Sequence, residues 1–186
     1  MTSAPETATA PRAAQLAAEL RRRADWDQDV RRTPGKSAAD VARWMAVDAE
    51  NQQWIWRVLR EHGWPGHRLV GEQGSDDAAL LVQHADRDRP LQRYGLELLI
   101  EAVDAGDATA SHVAYLIDRI HLHAGVPTRY GTQYARAEDG RYRMLPVEEP
   151  GGLDARRAQL GIPPVAEFER QLRELHAGTE MLEEYQ

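Results

Sequence analysis

The sequence of 186 residues contains no cysteine. Disulfide bonds, thiolate metal sites and a cysteine nucleophile are therefore excluded. Long apolar runs are also missing, because no stretch approaches the roughly 18 residues that a membrane-spanning helix requires. The segment from Met1 to Pro11 carries Glu6 and has no apolar centre, so it lacks the pattern of a signal peptide. These absences predict a cytoplasmic protein.

Basic charge is in the minority, and the formal net charge is −7. A negative chain is poorly suited to nucleic acids and anionic membrane surfaces. The runs Arg21–Arg23 and Arg31-Arg32 could form a basic patch, but Asp25, Asp27 and Asp29 dilute it. We therefore expect neither a nucleic-acid nor a membrane partner, and the sequence leaves the oligomeric state open.

Helical spacing of apolar residues dominates most of the chain. Between residues 130 and 147 the pattern changes, and the Asp-Gly pair at 139–140 indicates a hairpin turn. We predict a mainly α-helical single-domain bundle, residues 12–177, with one short β-hairpin near residues 130–147, a disordered tail at 1–11 and a C-terminal tail at 178–186. The long helices are predicted at about 12–32, 37–62 (with Ser37 as N-cap), 90–105 and 109–124, with shorter ones at 154–160 and 164–176.

Gly71-Glu72-Gln73-Gly74 is predicted to be a loop that leads to a short helix capped by Ser75. Glycines before a helix can indicate a phosphate loop. Asp76 and Asp77 would repel a phosphate there, and no Gly-Lys-Ser/Thr follows, so we exclude a nucleotide loop. The two aspartates are expected to interact favourably with the helix dipole.

Polar residues interrupt the apolar stripe of the second helix. Asp48 and Asn51 lie at or beside this stripe, midway along it. Such a gap indicates either a hydrogen-bonded network in the core or the wall of a pocket.

His84 is the first candidate for chemistry. It lies in Gln83-His84-Ala85-Asp86, directly after an apolar run. Histidine can act as a general acid or base near neutral pH, and a carboxylate can orient it. Residues two apart on a helix point away from each other, so Asp86 reaches His84 only if the chain turns back. Asp88 and Asp118 are equally good partners, and a hydrogen-bonded core histidine is the structural alternative.

Asp118-Arg119 interrupts the most apolar helix of the chain. The planar guanidinium of Arg119 suits a carboxylate or phosphate group of a substrate. The structural alternative is a salt bridge between helices, from Arg119 to Asp48 or Asp86.

Tyr130-Gly131-Thr132-Gln133 supplies hydroxyl and amide groups on a loop or strand edge. Loops often carry function on a rigid scaffold, so Tyr130, Thr132 and Gln133 are predicted to contact a ligand. A packing corner that ties the hairpin to the helices is the structural alternative.

The spacing of the histidines shows whether they could form a metal site. His121 and His123 are two apart on a helix and cannot share an ion, whereas Asp118 and His121 could, with His84 as a third ligand. No metalloprotease or EF-hand spacing occurs, so we predict no metal and no cofactor. Serines lack the nucleophile-elbow pattern, and Thr132 is the remaining conceivable nucleophile.

The order of these motifs resembles a small bacterial family of unknown function. The resemblance covers about residues 40–170 and implies no particular reaction. Its motifs appear here as Asp48-x-x-Asn51, Gly63-Trp64-Pro65, Val70-Gly71 with Gly74, Gln83-His84-Ala85-Asp86, Asp118-Arg119, Tyr130-Gly131-Thr132-Gln133, Pro146, Arg156-Arg157 and Leu160-Gly161-Ile162-Pro163-Pro164.

Two function classes remain open. The first is a small, cofactor-independent acid–base enzyme, such as a hydrolase, lyase or cyclase, that acts on a small polar or peptide substrate. In it, His84 moves the proton, Asp118 or Asp86 orients His84, and the substrate is held by the remaining polar residues, namely Arg119, Gln83, Tyr130, Thr132, Gln133, Asp48 and Asn51. The second is a non-catalytic ligand-binding or interaction module in which the same residues form a pocket or a structural network.

Overall fold

The structure is a computed structural model that describes residues 12–32, 37–136 and 142–176. Both predicted tails and the predicted Asp-Gly turn lie outside these residues. The described chain is mainly α-helical and has one antiparallel two-stranded hairpin, which confirms the predicted fold class. The elements are α1 (Ala14–Arg32), α2 (Ala38–His62), α3 (His67–Gln83), α4 (Arg89–Asp104), α5 (Ser111–Ala124), β1 (Tyr134–Arg136), β2 (Tyr142–Met144), α6 (Leu153–Gln159) and α7 (Val165–His176).

Ser37 begins α2 as predicted, through reciprocal hydrogen bonds of a capping box. The Asp40 backbone N–H donates to Ser37 Oγ at 3.2 Å, and the Ser37 backbone N–H donates to Asp40 Oδ2 at 2.9 Å. Such a cap contributes about 1 kcal/mol, because it satisfies N–H groups that have no partner inside the helix. The helix ends at Gly63, which has a φ of 68°.

The predicted loop before Ser75 is wrong. α3 begins at His67, and only Gly71 departs from helical geometry, with φ 77° and ψ 169°. The helix therefore kinks at Gly71 and continues, because glycine tolerates a positive φ that other residues avoid. Ser75 is not a cap but a buried residue, whose Oγ accepts a hydrogen bond from Trp64 Nε1 at 3.0 Å.

The helices α1 and α3 lie side by side and run in the same direction. The Ala13 backbone N–H donates to Leu69 O at 2.9 Å near their first residues. Further along, Arg21 pairs with Asp77 and Asp27 with His84, at sequence separations of 56 and 57 residues. A nearly constant separation is what two parallel helices in register produce.

Apolar side chains of α1 to α5 form the main core, and α3 contributes the largest buried share. None of the described helices has both the length and the apolar character to cross a membrane. The side chains that are at most 1% exposed include Leu20, Ile55, Leu59, Ala78, Val82, Leu91 and Leu99.

Gly95 marks the closest approach of α4 to α3 and gives a test of this packing. A Cβ added there would lie 2.6 Å from Val82 Cγ1, and Val82 is fully buried. We expect Gly95→Ala to lower the free energy of unfolding by about 1–3 kcal/mol through overpacking, although alanine favours a helix by about 1 kcal/mol. Urea denaturation measures the change. Gly151→Ala is the control, because a Cβ there meets no described atom within 4 Å, and equal midpoints for the two variants would contradict the close contact.

Candidate active site

His84 is the C-cap residue of α3, and its imidazole faces α1. His84 Nδ1 lies 2.7 Å from Asp27 Oδ2, and Asp27 is only 1% exposed. Gln28 Nε2 donates to the same oxygen at 3.0 Å, and Arg31 Nε lies 3.1 Å from both Asp27 oxygens. Burial favours the neutral acid, but His84 and Arg31 outweigh it and lower the pKa of Asp27 to about 2. Asp27 is therefore ionised near neutral pH.

An ionised Asp27 determines how the imidazole is used. The carboxylate can only accept, so His84 Nδ1 carries the proton and donates. His84 Nε2, the other ring nitrogen, has no hydrogen-bond partner among the described residues. The His84 side chain is 13% exposed, so Nε2 is at the edge of the protein rather than sealed in the core.

Asp48 of α2 lies next to this pair. Asp48 Oδ1 accepts from Arg31 NH2 at 2.8 Å, and the Asp48 side chain is 12% exposed. Burial raises the pKa of Asp48 to about 6; Arg31 opposes the rise, and the negative charge of Asp27 adds to it. Asp48 thus changes its protonation state close to neutral pH.

Asp86 forms a second centre, in which α5 supplies the partners. Arg119 binds it through two parallel hydrogen bonds, Nε to Oδ1 at 2.8 Å and NH2 to Oδ2 at 2.7 Å. His123 Nε2 lies 2.7 Å from Asp86 Oδ1. Burial alone would raise the pKa of Asp86, but Arg119 and His123 lower it to about 2. Of the two salt bridges proposed for Arg119 from the sequence, the one to Asp86 is the one that forms.

Asp118 is fully buried and holds the chain that follows α5. Its oxygens accept from the backbone N–H groups of Arg129 at 2.7 Å, Tyr130 at 3.0 Å and Thr132 at 2.8 Å, and from Thr132 Oγ1 at 2.9 Å. The predicted role of Asp118 as the partner of His84 is therefore wrong, because its acceptor sites are occupied by this loop. Asp88 is not the partner either: it caps α4 and accepts from Trp56 Nε1 at 2.6 Å.

The loop from Tyr130 to Gln133 is joined to the Asp86 centre through side chains. Arg119 NH1 donates to Gln133 Oε1 at 3.3 Å, and Gln133 Nε2 donates to Thr132 Oγ1 at 3.1 Å. Tyr130 presents its carbonyl to the buried Arg157, whose NH1 donates to it at 2.6 Å. This loop has the position of a packing corner that ties the hairpin to the helices.

Gln83 and Asn51 lie beside these centres. The Gln83 carbonyl accepts from Gln92 Nε2 at 2.9 Å, and the same nitrogen lies 3.3 Å from Asp86 Oδ1. Asn51 Oδ1 accepts from Arg23 NH1 at 3.0 Å. Their predicted roles in substrate binding stay predictions.

The set of Asp118, His121 and His84 that was considered for a metal does not come together in the described chain. No group of three or more His, Asp or Glu side chains there has a geometry that could hold an ion. The oxygens of Asp118 bind the loop, and His121 Nδ1 instead lies 2.9 Å from the Pro127 carbonyl.

Asp27, Arg31 and His123 are site residues that the sequence analysis missed. Asp27 and Arg31, like Arg119 and His123, are four residues apart and therefore share one helix face. This spacing is a usable signal for the pairs within a helix. The contact from Asp27 to His84 spans 57 residues and has no local signal.

Asp118→Asn tests whether the Asp118 carboxylate holds the loop that follows α5. An amide has one acceptor oxygen, so a buried NH2 group would face backbone donors, and we expect the free energy of unfolding to fall by at least about 3 kcal/mol. Chemical denaturation measures the loss, and hydrogen exchange should show faster exchange at residues 129–132. Asp154→Asn is the control, because this exposed carboxylate accepts from Val165 N at 2.9 Å. Similar losses of unfolding free energy in both variants would argue against this role of Asp118.

Asp48→Asn tests the raised carboxyl pKa. The folded value of about 6 against an ordinary 3.8 means that the folded protein binds this proton more tightly than the unfolded chain does. The stability that the proton contributes is therefore present below about pH 4 and lost as the pH rises through about 6. Unfolding free energies of parent and variant should diverge across this window, with the parent losing more. Asp27 and Asp86 have pKa values of about 2, so they destabilise the fold only below about pH 4. A parallel pH dependence of the two proteins would refute the shift.

Comparison with known proteins covers most of the chain. Residues 14–179 match a family of unknown function, DUF6624, so the expectation of such a family is confirmed. No curated protein and no solved structure matches the chain. The matched region contains every site residue from Asp27 to Gln133. The chain therefore belongs to the family of unknown function DUF6624.

Proposed function

We propose that this protein is a small, cofactor-independent acid–base enzyme of the cytoplasm in which His84 moves the proton. One observation carries the proposal: a buried, ionised Asp27 fixes His84 Nδ1 at 2.7 Å, while Nε2 has no partner among the described residues. A carboxylate in this position selects the tautomer of the ring and stabilises the imidazolium that forms when Nε2 takes a proton. The substrate class is a small polar molecule or a peptide.

Asp48 supplies a second proton-transfer group next to His84. A carboxyl whose pKa is raised to about 6 by burial can be a neutral acid at slightly acidic pH and a base above it. A carboxyl group that changes its protonation state near the working pH is common at sites of acid–base catalysis. In a hydrolase-, lyase- or cyclase-type reaction, His84 removes a proton from the substrate or from water, and protonated Asp48 is placed to return one.

The Asp86 centre has a positioning role in this proposal. The guanidinium of Arg119 is already bound by Asp86 and Gln133, and both atoms of the Gln133 amide are used within the protein. These groups fix the end of α3 against α5 and thereby hold His84 against α1. The catalytic role thus rests on His84, with Asp27 in place of Asp118 or Asp86 as the orienting carboxylate.

His84→Gln is the direct test. Loss of a general acid–base group typically lowers turnover by about 10²–10⁴-fold, and glutamine keeps a hydrogen-bond donor for Asp27, so the fold should survive. Turnover of a panel of small polar compounds and short peptides is followed by mass spectrometry, with circular dichroism as the check on folding. His62→Gln is the control, because this exposed histidine at the end of α2 is outside the site.

The same experiment distinguishes the enzyme from the second function class, a non-catalytic binding module or structural network. A parent protein that binds a compound without converting it, and loses that binding in the His84 variant, would establish a binding module instead. A His84 variant that unfolds, together with an Asp48→Asn variant that turns over every parent substrate unchanged, would favour a structural network.

A further inference from the structure

A surface groove runs between the parallel helices α1 and α3. Its volume is about 350 Å³, which is within the range of small-molecule sites. Charged side chains of both signs form most of its lining, and it is therefore suited to a charged rather than an apolar ligand. The lining residues are Arg21, Ala24, Asp25, Gln28, Asp29 and Arg32 of α1 with Asp77 and Leu80 of α3.

Asp77 is a buried carboxylate in this lining that the protein satisfies only in part. It is 4% exposed, and its Oδ1 accepts from Gln73 at 3.0 Å and from Arg21 at 3.3 Å. Its Oδ2 is buried and has no hydrogen-bond partner among the described residues. A buried acceptor without a donor costs free energy, and a cationic donor such as an ammonium group would recover that cost.

Arg21 is the side chain that such an ammonium group can replace. Its side chain is 53% exposed, and it divides its guanidinium between Asp77 and the exposed Asp25. An arriving ammonium group would replace the charge that Arg21 supplies to Asp77 at 3.3 Å, and Arg21 would keep its shorter contact with Asp25 at 2.6 Å. Oδ1 of Asp77, the oxygen that Arg21 leaves, is then open to the groove beside the unpartnered Oδ2.

The opposite end of the groove carries positive charge. Arg32, the last residue of α1, is exposed, and the structure gives it no acidic partner among the described residues. It lies eleven residues beyond Arg21, which corresponds to about 16 Å along the helix. The groove thus has a carboxylate at one end and a guanidinium at the other.

The middle of the groove adjoins the proposed catalytic pair. Gln28 lines the groove and donates to Asp27 Oδ2, the oxygen that also contacts His84 Nδ1. Leu80 lies one helical turn before His84 on α3, so His84 follows the lining along the same helix face. A molecule that occupied the groove would therefore pass close to His84.

From this arrangement we propose that the groove binds a short peptide with free termini, its ammonium group at Asp77 and its carboxylate at Arg32. Four extended residues span about 13–14 Å, and the long Arg32 side chain covers the remainder. The assignment of this peptide as the substrate of His84 rests on the proposed acid–base function, whereas its binding does not.

The test uses tetra-alanine and two capped forms, N-acetyl-tetra-alanine and tetra-alanine amide, in calorimetric titrations of the full chain. Each cap removes one charge, and we expect each to weaken binding by about tenfold or more, the size of one hydrogen bond to a charged group. Equal affinity for the three probes, or no binding of tetra-alanine at millimolar concentration, would overturn the proposal.

Variants assign each peptide end to its residue. Asp77→Asn should remove the difference between the free and acetylated peptides, and Arg32→Gln should remove the difference between the acid and the amide. Arg43→Gln, which removes an exposed charge of α2 outside the groove, should leave all three affinities unchanged. If Asp77→Asn does not fold, the Arg32 variant and the capped peptides still decide. If the Arg32→Gln variant still binds tetra-alanine more tightly than its amide, as the parent does, the assignment of the peptide carboxylate to Arg32 is contradicted.

Turnover measurements distinguish the proposal of peptide binding in the groove from the proposal of catalysis by His84. Conversion of tetra-alanine that is lost in His84→Gln while binding remains would support both. Binding without conversion of this or any other panel compound would support the groove and count against the enzyme. Conversion of other compounds that is unaffected in Asp77→Asn and Arg32→Gln, with no binding of the peptide, would support the enzyme and overturn the groove proposal.

Discussion

The arrangement of the helices depends on how the protein neutralises carboxylates inside an apolar bundle. A charge removed from water costs several kcal/mol unless partners surround it. Asp27 obtains its partners from α1 and α3, Asp86 from α5, and Asp118 from the backbone that follows α5. Because each set of partners comes from a different element, the pairings also fix where those elements lie. The polar contacts thus specify the packing that the apolar side chains stabilise.

Two sets of polar contacts fix neighbouring elements in this way. The first sets the register of α1 against α3, because Arg21 contacts Asp77 one to two turns before Asp27 contacts His84. The second connects Asp86 through Arg119 and Gln133 to the loop that Asp118 binds. Asp77 differs from the other buried carboxylates, because one of its oxygens is left without a donor. The same principle that explains the satisfied carboxylates therefore supports the proposal that a cationic ligand group binds at Asp77.

Local patterns in the sequence were sufficient for most of the fold. The α2 cap at Ser37, the helix breaks at glycine and the hairpin region depend on residues within a few positions of each other. The Gly71 region was harder, because the spacing of two glycines resembles a loop, whereas only one of them leaves the helical conformation. The site was predicted in part. Arg119 with Asp86 was one of two alternatives, but Asp27 as the partner of His84 depends on packing between distant segments, and its surroundings on α1 resemble an exposed, mixed-charge helix face.

Stability alone does not account for the environment of Asp48. Well-packed apolar residues are often as stable as buried ion pairs, and Asp27 and Asp86 are at least held in the ionised form by their partners, with pKa values of about 2. Asp48 is not: burial outweighs Arg31 and raises its pKa to about 6. Near neutral pH the fold therefore carries a carboxyl group in its less favourable state, next to an imidazole whose Nε2 has no partner in the described chain. Groups that reduce stability while titrating near neutral pH are concentrated at functional sites. This cost supports the proposal of proton transfer at Asp48 and His84 rather than at the fully neutralised centre around Asp86.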